Sequence, residues 1–197
     1  MLGLWRVRMP EAELVADSTL SSDELSAIQT IKSPSRRIEK LAARILLKEM
    51  TSPDCGVVYD DFGKPYLKNF EARISISHSN CFVAIITHPT LETGIDIQEI
   101  SDKIQRIQHK FLAPAESDFV QNNDTEKLLV LWGAKEALYK AHGRRSLIFN
   151  EHMGINPFEY QSTGEITGWV KTADFHQRYR LHYQKTGGYM LVYILNG

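Results

Sequence analysis

Three short segments of this chain carry residue types that could do chemistry together. Gly94-Ile95-Asp96-Ile97-Gln98-Glu99 sets an acid between β-branched residues. An acid there is costly in a strand interior unless it sits at an end or holds a charge partner. Trp132-Gly133-Ala134-Lys135-Glu136-Ala137-Leu138-Tyr139-Lys140 places Trp132, Glu136 and Lys140 on one helical face at i, i+4 and i+8. Gly63-Lys64-Pro65-Tyr66, followed by Ile74-Ser75-Ile76-Ser77-His78-Ser79, offers a cation on a turn and then a hydroxyl–imidazole–hydroxyl cluster. Together these suit a polyphosphate bound with a metal. Asp96 and Glu136 are hard oxygen ligands from separate elements, and an ion such as Mg²⁺ takes one or two protein carboxylates plus phosphate oxygens and water. Lys64, Lys135 and Lys140 supply charge for phosphates. Ser77 and His78 can donate hydrogen bonds to them.

The elements that must position these residues can be read from periodicity. The spacing predicts a strong helix over 34–50, with Ile38, Leu41, Ala42, Ile45, Leu46 and Met50 close to one face and Pro34 in the first turn behind Ser33. A second strong helix is expected over 125–142, stopped by Gly143. Ser21-Ser22-Asp23-Glu24 marks another helix start. Residues 104–112 are helical in period, and 115–120 could begin a short helix. Short strands are expected over 2–7, 57–59, 66–67, 73–77, 81–87 and 94–100. From residue 168 onward the pattern is all β, with Gly187-Gly188 as a hairpin turn. Each half therefore holds helices and a run of strands. The expected class is α+β with two similar lobes, 1–92 and 93–197, each a small antiparallel sheet packed with helices.

Composition excludes other classes. The 197 residues carry 23 Lys+Arg and 24 Asp+Glu, a net charge of −1, with 43% apolar residues, so disorder is excluded. Two cysteines, Cys55 and Cys81, cannot build a disulfide scaffold or a four-thiolate zinc site. Apolar runs such as 82–86 and 128–132 fall far short of the ~20 residues that span a bilayer. Arg6 and Arg8 interrupt the place where a signal peptide keeps its apolar stretch, so a cytoplasmic protein is the default expectation. The seven histidines show no zinc-ligand spacing with the cysteines. Balanced charge without an aromatic-and-basic motif argues against nucleic acid as a partner.

Taken singly, each feature has an ordinary explanation. Asp96 could be a strand-end acid, and Glu136 with Lys140 could be a surface i, i+4 pair. His78 could be structural, and the basic helix a solvated face. Co-occurrence in order carries more. Gly-Ile-Asp-Ile, then about 35 residues, then Trp-x-x-Lys-Glu-Ala-x-x-Lys resembles the signature of the 4′-phosphopantetheinyl transferases, and the upstream Gly-Lys-Pro and Ile-Ser-His-Ser match that family's first half. The resemblance runs from about Arg36 to Arg145, and the length is that of the Sfp-type members.

The resemblance implies a fold in which the two lobes are related by a pseudo-two-fold, with the active site at their interface. It implies transfer of the phosphopantetheine arm from coenzyme A to a serine of an apo acyl or peptidyl carrier protein, with release of adenosine 3′,5′-bisphosphate. Asp96 and Glu136 would hold Mg²⁺, with Mn²⁺ able to stand in. Glu136 would also take the serine proton, and Lys140 would neutralise the diphosphate. Lys64, Ser77 and His78 would hold the adenylate end, including its 3′-phosphate. Arg37 and Arg44 would lie near the coenzyme A phosphates, and Lys135 would support the site. A monomer is expected by analogy.

One position departs from the pattern. Many Sfp-type members carry a second acid two residues after the first, where this chain has Gln98. Alternation places Asp96 and Gln98 on one face and Glu99 on the other. The expectation is a two-carboxylate site with Gln98 as a third contact. Gln98 is also the sole support for a runner-up, a non-catalytic descendant that binds coenzyme A or a carrier protein. Retention of Asp96, Glu136 and Lys140 argues against it. Basic residues cluster at Lys32, Arg36, Arg37, Lys40, Arg44 and Lys48, and again at Lys103, Arg106, His109 and Lys110 before Phe111-Leu112. The resemblance implies an acidic carrier, which such surfaces, with apolar residues such as Phe111 and Leu112, would dock.

Overall fold

A computed structural model describes residues 1–120, 124–143 and 147–196. Arg145, where the family resemblance ends, lies outside the described residues. The chain divides into two units, Met1–Thr90 and Leu91–Gly197.

In the first unit, strand β1 (Leu2–Arg6) is followed by helices α1 (Glu11–Ala16), α2 (Ser22–Gln29) and α3 (Pro34–Met50). Strands β2 (Gly56–Tyr59) and β3 (Pro65–Lys68) form a separate hairpin, and β4 (Arg73–Ser79) and β5 (Phe82–His88) complete a three-stranded antiparallel sheet in the order β1-β5-β4. Ser21 starts α2 with a reciprocal capping box to Glu24. Leu41, Ala42, Ala43 and Leu47 of α3 are buried in a core with Ile74, Val83 and Ile85 of the sheet. α1, whose six residues are too few to show a helical period, was not expected.

The second unit begins with β6 (Ile95–Glu99), then α4 (Lys103–Ile107), a 3-10 turn (Gln108–Lys110), α5 (Pro114–Ser117) and α6 (Thr125–His142). A short α7 (Phe149–His152) precedes β7 (Met153–Ile155), β8 (Thr163–Lys171), β9 (His176–Thr186) and β10 (Tyr189–Asn196). These strands form one antiparallel sheet in the order β6-β10-β9-β8-β7. The expected helix over 104–112 is broken: the N–H groups of Phe111 and Leu112 both turn back to the Gln108 carbonyl. Gly143 ends α6 at φ 72°, and Gly187 and Gly188 turn the β9–β10 hairpin at φ 53° and 82°. Helix α6 packs against β6 and β10, and eleven of its eighteen residues are buried. That places two of the three chemistry-bearing segments, β6 and α6, side by side. Each unit therefore combines an antiparallel sheet with one long helix, which is the α+β class, although the sheets differ in strand number. No helix among the described residues is long and apolar enough to cross a membrane.

Candidate functional site

Gly94 sets the distance between β6 and α6. A Cβ at that position would fall 1.9 Å from the Ala137 carbonyl oxygen, so only glycine lets the strand enter this close to the helix. Two residues on, Asp96 is 2% exposed. Its Oδ1 accepts a hydrogen bond from Lys140 Nζ at 2.8 Å, and the same ammonium reaches the Ile95 carbonyl at 2.9 Å. A buried carboxylate requires such a partner. Glu136 lies one helical turn before Lys140 on the same face. Burial raises the Glu136 pKa to about 7, the negative charge of Asp96 adds to the rise, and Lys140 opposes it. Two carboxylates thus share a poorly solvated spot with one ammonium. Gln98, half-buried, continues the Asp96 face of β6, and Glu99 is exposed. Among the described residues no group of three or more His, Cys, Asp or Glu side chains gathers to hold a metal.

In the first unit, Lys64 follows a turn built by Asp60, whose Oδ1 accepts the backbone N–H groups of Phe62 at 2.9 Å and Lys64 at 2.8 Å. Although burial raises the Asp60 pKa, these N–H bonds outweigh it and lower the value. β4 runs on through Ser79, and this divides the Ser77-His78-Ser79 group. Ser77 is 5% exposed and shares its face with Ser75, whereas His78 points to the opposite face and is half-exposed. His78 Nδ1 lies 3.2 Å from Glu39 Oε2, and Arg36 stands beside both. The expected cluster is therefore two separate features.

The pattern of the 4′-phosphopantetheinyl transferase superfamily matches residues 92–193, which contain the whole Asp96–Glu136–Lys140 group. The chain belongs to the 4′-phosphopantetheinyl transferase superfamily. It is 28% identical over 160 residues to the 4′-phosphopantetheinyl transferase HetI of Nostoc sp. strain PCC 7120, covering 71% of this chain and 68% of HetI. It is 29% identical over 135 residues to the 4′-phosphopantetheinyl transferase AcpT of Salmonella typhi, covering 64% of this chain and 70% of AcpT. AcpT of Salmonella typhimurium matches to the same extent. Similarity to HetI within a single chain fits the Sfp-type assignment.

The side chains of three residues have partners that their sequence did not show. Lys135 is 0% exposed and does not reach solvent to bind a phosphate. Its Nζ donates to Glu116 Oε2 at 2.6 Å and to the carbonyls of Phe111 at 2.7 Å and Phe149 at 3.1 Å. Burial lowers its pKa, and Glu116 opposes the change. Arg37 is tied down as well: it forks onto both carboxylate oxygens of Glu11 at 2.6 and 3.0 Å and donates to the carbonyl of Ile31. Phe111 is 0% exposed, packed edge-on against Trp132 at 5.2 Å, so it belongs to the core and not to a docking surface. Arg44 donates to the Val57 carbonyl at 3.2 Å and lies over the Tyr59 ring.

Glu116 is the buried residue that sequence reading missed. Besides Lys135 it accepts the N–H groups of Ala113 and Ile155, both at 2.8 Å. A signal for it existed. Lys135 stands at i+7 from Leu128, i+4 from Leu131 and i−3 from Leu138, all buried, so it falls on the apolar stripe of α6 and needs a buried acid.

Proposed function

We propose that this transferase moves the 4′-phosphopantetheine arm of coenzyme A to a serine hydroxyl of an acyl or peptidyl carrier protein. The observation that carries the proposal is the buried Asp96–Lys140 pair beside Glu136, whose carboxyl is pushed up to about 7, within the segment matched by the superfamily. In the reaction the serine Oγ bonds to the phosphorus that bears the pantetheine arm. The bond from that phosphorus to the bridging oxygen breaks, and adenosine 3′,5′-bisphosphate leaves with that oxygen. Glu136 takes the serine proton, directly or through a water. Lys140, 26% exposed at its side chain, keeps a cation at the diphosphate. The family resemblance assigns the adenylate end and its 3′-phosphate to Lys64 and His78, with Ser77 on the other face of β4.

The donor set fits a hard divalent cation. Asp96 and Glu136 repel one another in a buried place, and a cation between carboxylates relieves that repulsion. Asp96 and Glu136 would hold magnesium or manganese, with the Gln98 amide oxygen as a third and weaker donor. When bound, the ion supplies charge neutralisation of the diphosphate. For the acidic carrier, the surface on offer is Lys103, Arg106, His109 and Lys110, all exposed.

The test is mass spectrometry of apo carrier proteins, from both fatty-acid and peptide synthesis, incubated with this protein, coenzyme A and Mg²⁺. The expected result is addition of the phosphopantetheine arm to one of them, lost in Glu136→Ala while the fold is kept. Near-normal transfer by Glu136→Ala overturns the assignment of the site. No transfer to any carrier, together with tight coenzyme A binding, favours a non-catalytic binding protein.

A further inference from the structure

Glu39 has no part in the reaction described above, yet it contacts His78, which is read as a donor for the nucleotide end, and Arg36 beside it. It lies on α3, three residues after Arg36 and facing β4. One oxygen, Oε2, lies 3.4 Å from the Arg36 guanidinium and 3.2 Å from His78 Nδ1. The Arg36 NH1 is also 3.5 Å from His78 Nε2. The three side chains come from two elements and are graded in exposure: Glu39 at 16%, His78 at 31% and Arg36 at 62%. The carboxylate is thus the innermost of the three. An anion that approaches from solvent meets the imidazole and guanidinium first.

We infer that Glu39 is a positioning residue for recognition of the nucleotide's 3′-phosphate. Its Oε2 accepts the Nδ1–H of His78, which fixes the ring with Nε2 toward the Arg36 guanidinium. The same oxygen holds the Arg36 guanidinium beside Nε2, so that two nitrogen-bearing groups converge on one place. Lys40 and Arg37, the neighbouring cations of α3, are directed elsewhere, to the Tyr59 hydroxyl and to Glu11. Without Glu39 the ring and the guanidinium lose their common anchor, and the phosphate must order both at its own entropic expense. The inference adds Glu39 and Arg36 to the site and rests on the reading of His78 as a phosphate donor.

The experiment is calorimetric titration of the full chain, without metal, with adenosine 3′,5′-bisphosphate and with adenosine 5′-monophosphate. The wild type, Glu39→Ala, Glu39→Gln and His78→Ala are compared. The wild type is expected to prefer the bisphosphate by at least about tenfold, the scale of one charge-assisted hydrogen bond. Glu39→Ala should remove most of that preference while leaving the monophosphate affinity unchanged. Glu39→Gln, which keeps an acceptor for Nδ1–H and closely matches the native shape, should remove less. Equal weakening of both nucleotides, or an unchanged preference in both Glu39 variants, overturns the inference. If His78→Ala loses the preference while the Glu39 variants keep it, the inference fails and the His78 reading stands. If the wild type shows no preference, or His78→Ala retains it, the His78 reading itself fails and takes the inference with it.

Discussion

Replacing Glu136 with glutamine should make the metal-free protein more stable at alkaline pH while it removes activity. The carboxyl rises from its ordinary 4.5 to about 7 on folding, because burial and the Asp96 charge both disfavour its ionised form. A group whose folded pKa is raised contributes stability in full below its unfolded pKa. That contribution is lost as pH climbs through the folded pKa. In the wild type the loss therefore falls between about pH 4.5 and 7 and amounts to about 3 kcal/mol by pH 8, at 1.36 kcal/mol per pH unit. Glutamine has a similar shape and cannot ionise, so it escapes the loss. For a protein of this size that difference corresponds to roughly 6–12 °C in melting temperature. The assay is thermal unfolding in EDTA at pH 5 and pH 8, followed by tryptophan fluorescence. Comparing the two proteins at each pH cancels the titration of groups that are not coupled to Glu136. The glutamine variant should melt well above the wild type at pH 8 and within about 3 °C of it at pH 5. Adding Mg²⁺ at pH 8 should raise the wild type and leave the variant nearly where it was. A melting difference that is the same at both pH values, or a variant less stable at pH 8, would refute the argument that Glu136 is held against its charge.

Gly94→Ala puts a methyl group 1.9 Å from the Ala137 carbonyl oxygen, so β6 and α6 must separate. The expected cost is about 3 kcal/mol by urea denaturation, with transfer activity lost as the Asp96–Lys140 contact opens. Lys135→Met leaves Glu116 charged and buried with only its backbone donors, and should cost about 3–5 kcal/mol. Adding Glu116→Gln to that variant should restore part of the loss, and two additive losses would contradict a direct pair. Gln98→Glu should keep turnover and lower the Mg²⁺ concentration needed for half-maximal transfer. Abolished turnover would show that position 98 does not share the Asp96 face in the working enzyme.

Much of the fold was legible because its longest elements are strongly periodic. α3 and α6 begin and end where apolar spacing, Pro34, and Gly143 place them. Weakly patterned pieces were not legible. β8 starts at Thr163, five residues before the expected point, because Gly164 and Gly168 break the β signature; both leave room for neighbours across the sheet, Tyr183 and Ile155. β7 has three residues, too few for alternation to register.

By itself the sequence determined the chemistry available and the faces that carry it. Asp96, Glu136 and Lys140 were identified by residue type and by the order of their motifs, and the superfamily match spans the same segment. Only tertiary structure decided which charges are spent. A basic residue in a sequence is a cation without a partner, and its partner is set by which other elements fold against it. Lys135 sits one residue from Glu136, yet its charge is taken by Glu116, nineteen residues upstream. Arg37 is claimed by Glu11, and Arg36, one residue earlier, stands exposed near His78. Adjacent residues on a helix point about 100° apart, so each meets a different part of the fold and a different partner.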